Sequence, residues 1–259
     1  MSGTHLVVAP MLIVLATAIL TLLTRSAPRV QRGLSLVGVF GYATAVFVLV
    51  SAVVPGTILT YQLGGWPAPF GISLVADSLS AFMLGIAAVV AVPSLVFSLR
   101  FVPEFGQQLS YHPLFHFMLV GVTGAFLTAD IFNMFVWFEV MLMSTYVLVV
   151  FYSGPEHTRA ALNYVVLNLV GSAVMLLAIG GLYATIGTLN MADIAARLGD
   201  PAAYGIDVAP VLGLSALLFA VFALKAGIVP FQFWVPAAYK AAPAPVTAMM
   251  AGVVKKVGV

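Results

Sequence analysis

Residues Val211–Lys240 read VLGLSALLFAVFALKAGIVPFQFWVPAAYK. The run is too apolar for a soluble helix and too long for a straight membrane span. At 1.5 Å per residue, thirty helical residues would extend about 45 Å, against a hydrocarbon core of about 30 Å. Pro230 and Pro236 lie inside the run. Each removes a backbone hydrogen bond and clashes with the carbonyl four residues earlier. The reading is two half-helices, 210–227 and 230–240, with a break just after Lys225. Unwound backbone at membrane depth persists only where it is buried in protein or lines a wet cavity. Broken helices of this kind mark ion sites in transporters.

The rest of the chain agrees. Of 259 residues, 63% are hydrophobic and 7% charged, whereas soluble domains average about 25% charged. The class is therefore a polytopic membrane helix bundle, all-α. Net charge is +2 with no basic run, so nothing points to nucleic acid. Cysteine is absent, which excludes disulfides, thiolate metal sites and cysteine catalysis.

Apolar runs predict spans at 6–24, 34–54, 78–99, 113–128, 131–152, 160–186, 210–229 and from 244 onward, about eight crossings. The first has no basic stretch before it and arginines after it, so it reads as a retained helix rather than a signal peptide. The last stops at AGVVKKVGV without a polar flank, so the expectation is a piece of a longer protein. NMADIAARL, from Asn190, has helical apolar spacing and is expected to lie at the interface. Arg25, Arg29, Arg32, Arg100, Arg159 and Lys240 fall on alternate connections from Arg197. Six against one puts the N-terminus outside by the positive-inside bias.

Against this apolar background the ionisable groups stand out. Glu139 sits within FNMFVWFEVMLM (132–143), near the middle of its span. Lys225 lies at the expected break, and Lys255 and Lys256 lie about twelve residues into the last span. A charge at a helix centre costs roughly 2.5–3.5 kcal/mol on insertion scales and usually pairs or lines an ion path. The bland alternatives are a structural ion pair, or a lysine snorkelling to the interface. Glutamate is too short to snorkel from the centre. Lys255 and Lys256 point about 100° apart on a helix, so only one easily faces the bundle.

His112 and His116 are spaced i, i+4, as a metal on one helix face would need. No third ligand lies nearby, and a proton relay through His116 is the stronger reading. Asn163, Asn168 and Ser172 read as interhelical hydrogen-bonders. Asp77, just before Ser78, reads as a helix start, and Lys240 as an edge anchor. There is no Gly-rich phosphate loop and no Ser-His-Asp set.

These residues also carry a family resemblance. GAFLTADIFNMFVWFEVMLMSTYVL, LNYVVLNLVGSAVMLLAIGGLYATIGTLNMADIA, ALKAGIVPFQFWVPAAY and APAPVTAMMAGVVKKVGV resemble the D subunit of Mrp-type multisubunit cation/proton antiporters. The likeness covers at least residues 112–259. The FNMFVWFEV form favours that subunit over the related proton-pumping subunits of respiratory NADH:quinone oxidoreductase.

The resemblance implies an inverted-repeat fold. Residues 1–110 would be a three-helix N-terminal segment. Residues 111–259 would be the first repeat, spans four to eight, with the last incomplete. It also implies that the family's proton-translocating glutamate falls on Glu139, and its lysines on Lys225 and Lys256. Lys255 stands where the family usually has a small polar residue, so either lysine of that pair could be the working one. Related pump subunits often carry histidine where this chain has Gln232.

The function so implied is proton translocation in exchange for Na⁺. It would take place in a prokaryotic cell membrane, with the other antiporter subunits as partners and no cofactor. A switching contact between Glu139 and Lys225 would load and unload a proton, since a nearby carboxylate restores the proton affinity that burial takes from a lysine. The alternatives are a proton-pumping subunit of a quinone- or hydrogen-linked redox complex, and a structural membrane scaffold.

Overall fold

The computed structural model describes residues 4–53, 56–103 and 110–259. Three helices come first: α1 (Thr4–Leu23), α2 (Pro28–Ala52) and α3 (Ser78–Phe101). Pro28 opens α2 at a position where its missing N–H is not needed. Asp77 caps α3 by accepting a hydrogen bond from the Ser80 amide at 2.7 Å, as the sequence leads one to expect.

The connection between α2 and α3 is more ordered than its Gly/Pro content suggests. β1 (Leu59–Gln62) and β2 (Ser73–Ala76) pair antiparallel, with Leu59 opposite Ala76 and Gln62 opposite Ser73. Among the described residues this hairpin is the one sheet in an otherwise helical bundle. The physical reason lies in the pairing partners. The Ala129 amide donates to the Ser73 carbonyl at 2.9 Å, and the Met191 amide donates to the Ala129 carbonyl at 2.8 Å. Three connections at one end of the bundle thus satisfy one another's backbone groups.

Helix α4 (Tyr111–Leu127) is the central element. Nearly every residue on it is buried, from Tyr111 and His112 to Leu127, as expected of a helix apolar all round. It packs against α1, α2, α3 and α5 (Ile131–Val149). The α4–α5 crossing is close because α4 presents glycine there. A Cβ on Gly121 would lie 2.6 Å from the Met141 backbone nitrogen. Gly121→Val should therefore push the two helices apart and destabilise the protein by about 1–3 kcal/mol. Thermal unfolding of the full-length protein in detergent checks this, and an unchanged midpoint would contradict the packing.

Helix α6 (Pro155–Ile186) ends at Gly187, whose φ of +80° suits glycine. The chain then enters α7 (Met191–Gly199), capped by Asn190. Ile194 and Leu198 of α7 pack on the core, in keeping with the amphipathic pattern of its sequence. Arg197 donates to the Ile186 carbonyl at 2.9 Å and pairs with Asp193 at 3.0 Å. Hydrogen bonds from Thr188 and Arg197 hold the Asp193 carboxyl below its ordinary value.

The long apolar run Val211–Lys240 is broken. Helix α8 (Val208–Lys225) stops at the lysine, and α9 (Trp234–Ala241) begins nine residues later. Helix α10 (Ala244–Gly252) follows, and Val254–Gly258 form a 3₁₀ segment. The expected continuous last helix is corrected here: it ends at Gly252, ahead of both lysines. Glycine is a poor helix residue, and the tighter 3₁₀ geometry carries the chain onward in a short piece.

Among the described residues, six helices are long and apolar enough to cross a membrane: α1, α2, α3, α5, α6 and α8. The 17-residue α4 is apolar but shorter. Large apolar side chains such as Val37, Phe40, Phe82, Leu177, Leu212 and Phe219 face outward on these helices, as a lipid-exposed surface requires. The protein is a multi-pass membrane protein.

Candidate functional site

The site is built where α5, α6 and α8 meet. Glu139 is the ninth residue of the nineteen in α5, half-buried at mid-helix. Lys225 is the last residue of α8 and is 5% exposed. An ammonium at a helix C-terminus is favoured by the partial negative charge of the terminal carbonyls. The Phe138 ring adds a second favourable contact, with its centroid 4.9 Å from Lys225 Nζ.

Glu139 and Lys225 are joined through a third residue rather than by a direct hydrogen bond. Ser172 of α6 stands between them. Lys225 Nζ donates to Ser172 Oγ at 3.0 Å, and Ser172 Oγ donates to Glu139 Oε1. A serine hydroxyl has one proton to give and lone pairs to accept with. It can therefore sit between a cation and an anion and be oriented by both. The arrangement forms a charge-assisted chain, ammonium to hydroxyl to carboxylate.

The break after Lys225 is held by named partners. Gly227 takes φ +61°. The Ala226 amide donates to the Phe222 carbonyl at 2.8 Å and the Ile228 amide to the Ala223 carbonyl at 2.9 Å. Trp234 Nε1 turns back and donates to the Leu224 carbonyl at 2.9 Å. Unwound backbone is thus satisfied from within the protein.

Polar groups continue from Ser172 along one face of α6, at Asn168 and Tyr164. Tyr164 hydroxyl and Thr145 Oγ1 lie 2.9 Å apart, and Asn168 Nδ2 donates to the Tyr164 carbonyl at 2.9 Å. Asn168 Oδ1, the Tyr146 hydroxyl and the Tyr239 hydroxyl are buried without a partner among the described residues. Buried polar atoms in that condition are ordinarily met by water. At the Pro155 end of α6 an open cavity of about 430 Å³ is lined by Glu156, His157, Arg159, Asn163 and Lys240. Asn163 is exposed there, which corrects its reading as an interhelical hydrogen-bonder. Lys240 is exposed too, 4.0 Å from Glu156, as an edge residue should be.

The 3₁₀ segment reaches the break from the other side. A Cβ on Gly258 would lie 2.8 Å from the Ala226 nitrogen, so the two backbones are in contact. Lys255 is half-buried and its Cε approaches Gly227, where a Cβ would be 3.8 Å away. Lys256 is exposed. Lys255 is therefore the lysine of the pair whose side chain is placed against the break after Lys225.

His116 lies apart from this site. It is fully buried between α4 and α2, with Ser35 Oγ 2.8 Å from its Nε2. Sequence reasoning alone misses the bridging role of Ser172 and the proximity of Ser35. Ser172 lies 33 residues from Glu139 and 53 from Lys225. The one signal in the sequence is the i, i+4 polar row Tyr164, Asn168, Ser172 on α6.

Known proteins share this architecture. The D subunit of a Na⁺/H⁺ antiporter from Alkalihalophilus pseudofirmus is 36% identical over 256 residues, 98% of this chain and 51% of that protein. A chain in the structure of the membrane-bound sulfane sulfur reductase, an archaeal respiratory membrane complex, matches with a TM-score of 0.87 at 29% identity. That match covers 97% of this chain and 51% of the other. A chain of the Mrp complex from Dietzia sp. matches with a TM-score of 0.87 at 27% identity, covering 99% and 47%. The chain thus spans about half the length of the proteins it resembles. Residues 128–259, just over half of the chain, match the family described as NADH:quinone oxidoreductase/Mrp antiporter, TM. The chain belongs to this transmembrane family of oxidoreductase and antiporter subunits.

Proposed function

We propose that the chain belongs to a subunit of a multisubunit cation/proton antiporter in a prokaryotic cell membrane, and that it moves protons in exchange for Na⁺. It is a transporter subunit, with the other antiporter subunits as partners. The observation that carries this reading is the chain Lys225–Ser172–Glu139 beside the break after α8. The named antiporter subunit at 36% identity supports it.

Lys225 is the loading group. While its ammonium bonds Ser172, the Glu139 carboxylate stabilises the positive charge through the hydroxyl. When that contact opens, the ammonium is left in a desolvated interior and gives up its proton. Lys255, beside Gly227, is the next station, and Lys256 the position the family pattern marks. Water filling the unpartnered sites at Asn168, Tyr146 and Tyr239 would link Lys225 to the cavity at the Pro155 end. His116 is a candidate relay outside this path. Residues 1–110 serve as an N-terminal three-helix segment and residues 111–259 as the first repeat.

The test uses the full-length protein in its assembled complex, reconstituted in vesicles. An imposed Na⁺ gradient should drive proton movement; movement driven by K⁺ alone would reassign the cation. The likeness to the sulfane sulfur reductase chain favours a second reading, a redox-linked proton pump. Proton movement that needs an electron donor and ignores cations would establish it.

The orientation is also proposed: eight crossings with the N-terminus outside, from the alternation of Arg and Lys. Cysteines introduced as Pro28→Cys and Glu156→Cys should react with impermeant maleimide only from the cytoplasmic side. Labelling of either from outside would overturn the orientation.

A further inference from the structure

The geometry points to a second proton-handling unit: His112, Ser35 and His116 form a three-residue proton wire at the α2–α4 contact, distinct from the Glu139–Ser172–Lys225 site. This rests on the proton-translocating reading above and extends it. His112 Nδ1 lies 3.0 Å from Ser35 Oγ, and the same oxygen lies 2.8 Å from His116 Nε2. All three residues are 0% exposed. The remaining ring nitrogens, His112 Nε2 and His116 Nδ1, are buried with no hydrogen-bond partner among the described residues.

Proton counting makes this arrangement specific. The Ser35 hydroxyl carries one proton, and each neutral imidazole carries one. A continuous chain therefore has two forms. In the first, His116 Nε2–H donates to Ser35 Oγ, and the Ser35 hydroxyl donates to His112 Nδ1. His112 then carries its proton on Nε2. In the second, every bond is reversed, and both imidazoles carry their proton on Nδ1.

A proton delivered by water to His116 Nδ1 converts the first form into the second. The Nε2 proton of His116 passes to Ser35, the Ser35 proton passes to His112 Nδ1, and the Nε2 proton of His112 leaves to water. One proton enters and one leaves. In a concerted passage no group has to hold a full charge in the buried interior. The opposite direction runs the same steps backwards. Repetition in one direction needs the hydroxyl and rings to turn back between passages.

The two orphaned nitrogens are the two ends of this wire, which accounts for their lack of partners. Polar groups lie beyond both. Gln31 is one turn before Ser35 on α2, and its buried Oε1 also lacks a partner among the described residues. Tyr42 and Thr123, each seven residues on from Ser35 and His116, lie 3.2 Å apart at their oxygens. The wire thus stands at the Arg29 end of α2 with a further polar pair about 10 Å deeper along the helices.

The test compares Ser35→Ala, His112→Gln and His116→Gln in the full-length protein within its assembled, reconstituted complex, with Glu139→Gln alongside. Glutamine can keep a hydrogen bond but cannot pass a proton between two ring nitrogens. Each of the three variants should lower proton flux at least about tenfold. The Ser35→Ala/His116→Gln double variant should be no slower than the slower single one. Wild-type flux in Ser35→Ala overturns the wire. If Glu139→Gln is dead in that same preparation, the antiporter reading still stands; if it too is wild-type, both fall.

A measurement on the unmutated wire removes any dependence on how Ser35→Ala assembles. ¹⁵N NMR of histidine-labelled full-length protein, with every histidine other than His112 and His116 replaced by Gln, should show both buried imidazoles protonated at the same ring position. One ring protonated at Nδ1 and the other at Nε2 would mean that both rings donate to Ser35 or that both present acceptors to its single proton, and no wire exists.

Discussion

The double variant Glu139→Gln/Lys225→Ala is expected to transport protons no more slowly than the slower of its two single variants. Each single change should lower Na⁺-driven proton flux at least about a hundredfold, the loss expected when a positioned proton-transfer group is removed. Lys225→Ala removes the loading group. Glu139→Gln leaves the ammonium with the Ser172 oxygen and the Phe138 ring but without the carboxylate that balances its charge. Groups that work as one unit do not add, so the second change has little left to remove. The complex should still assemble, because neither side chain satisfies helix backbone. Flux in each single and in the double, measured at equal amounts of assembled complex, decides the matter. Losses that multiply would show two independent functions.

Ser172→Ala should be nearly as damaging, at least about tenfold. Without the hydroxyl, the Lys225 ammonium loses its acceptor and the Glu139 carboxylate loses its donor, with no other hydrogen bond to either side chain among the described residues. A buried polar group left unsatisfied costs roughly 1–3 kcal/mol, more when charged. Retention of wild-type flux by Ser172→Ala would mean that the two charges communicate without the serine.

Much of this is legible in the amino-acid sequence. Thirty apolar residues containing Pro230 cannot form one straight span, and the chain does break after Lys225. The second half-helix starts at Trp234 rather than 230, because Phe231–Phe233 form turns that proline placement alone does not determine. The isolated acid at 139 and the lysine at 225 are conspicuous because charge is costly in an apolar run. What joins them is not visible, since hydrogen bonds between separate helices leave no periodic trace in one sequence. His112 and His116 are visible as a pair through their i, i+4 spacing. Ser35, 77 and 81 residues away, is one of many small polar residues in apolar helices. The hairpin of β1 and β2 is hidden for a different reason. Its stretch is rich in Gly and Pro, and part of its stability comes from partners at Ala129 and Thr128. Gly252 is the only sign that the last helix tightens before Lys255.

Glu139 is proposed as a working member of the proton path. The most direct measurement is Na⁺-gradient-driven proton flux of Glu139→Gln in an intact, reconstituted complex, read against wild type in the same preparation. Flux at the background of empty vesicles is the expected result. Flux at the wild-type rate would contradict the account and leave these helices as a structural scaffold.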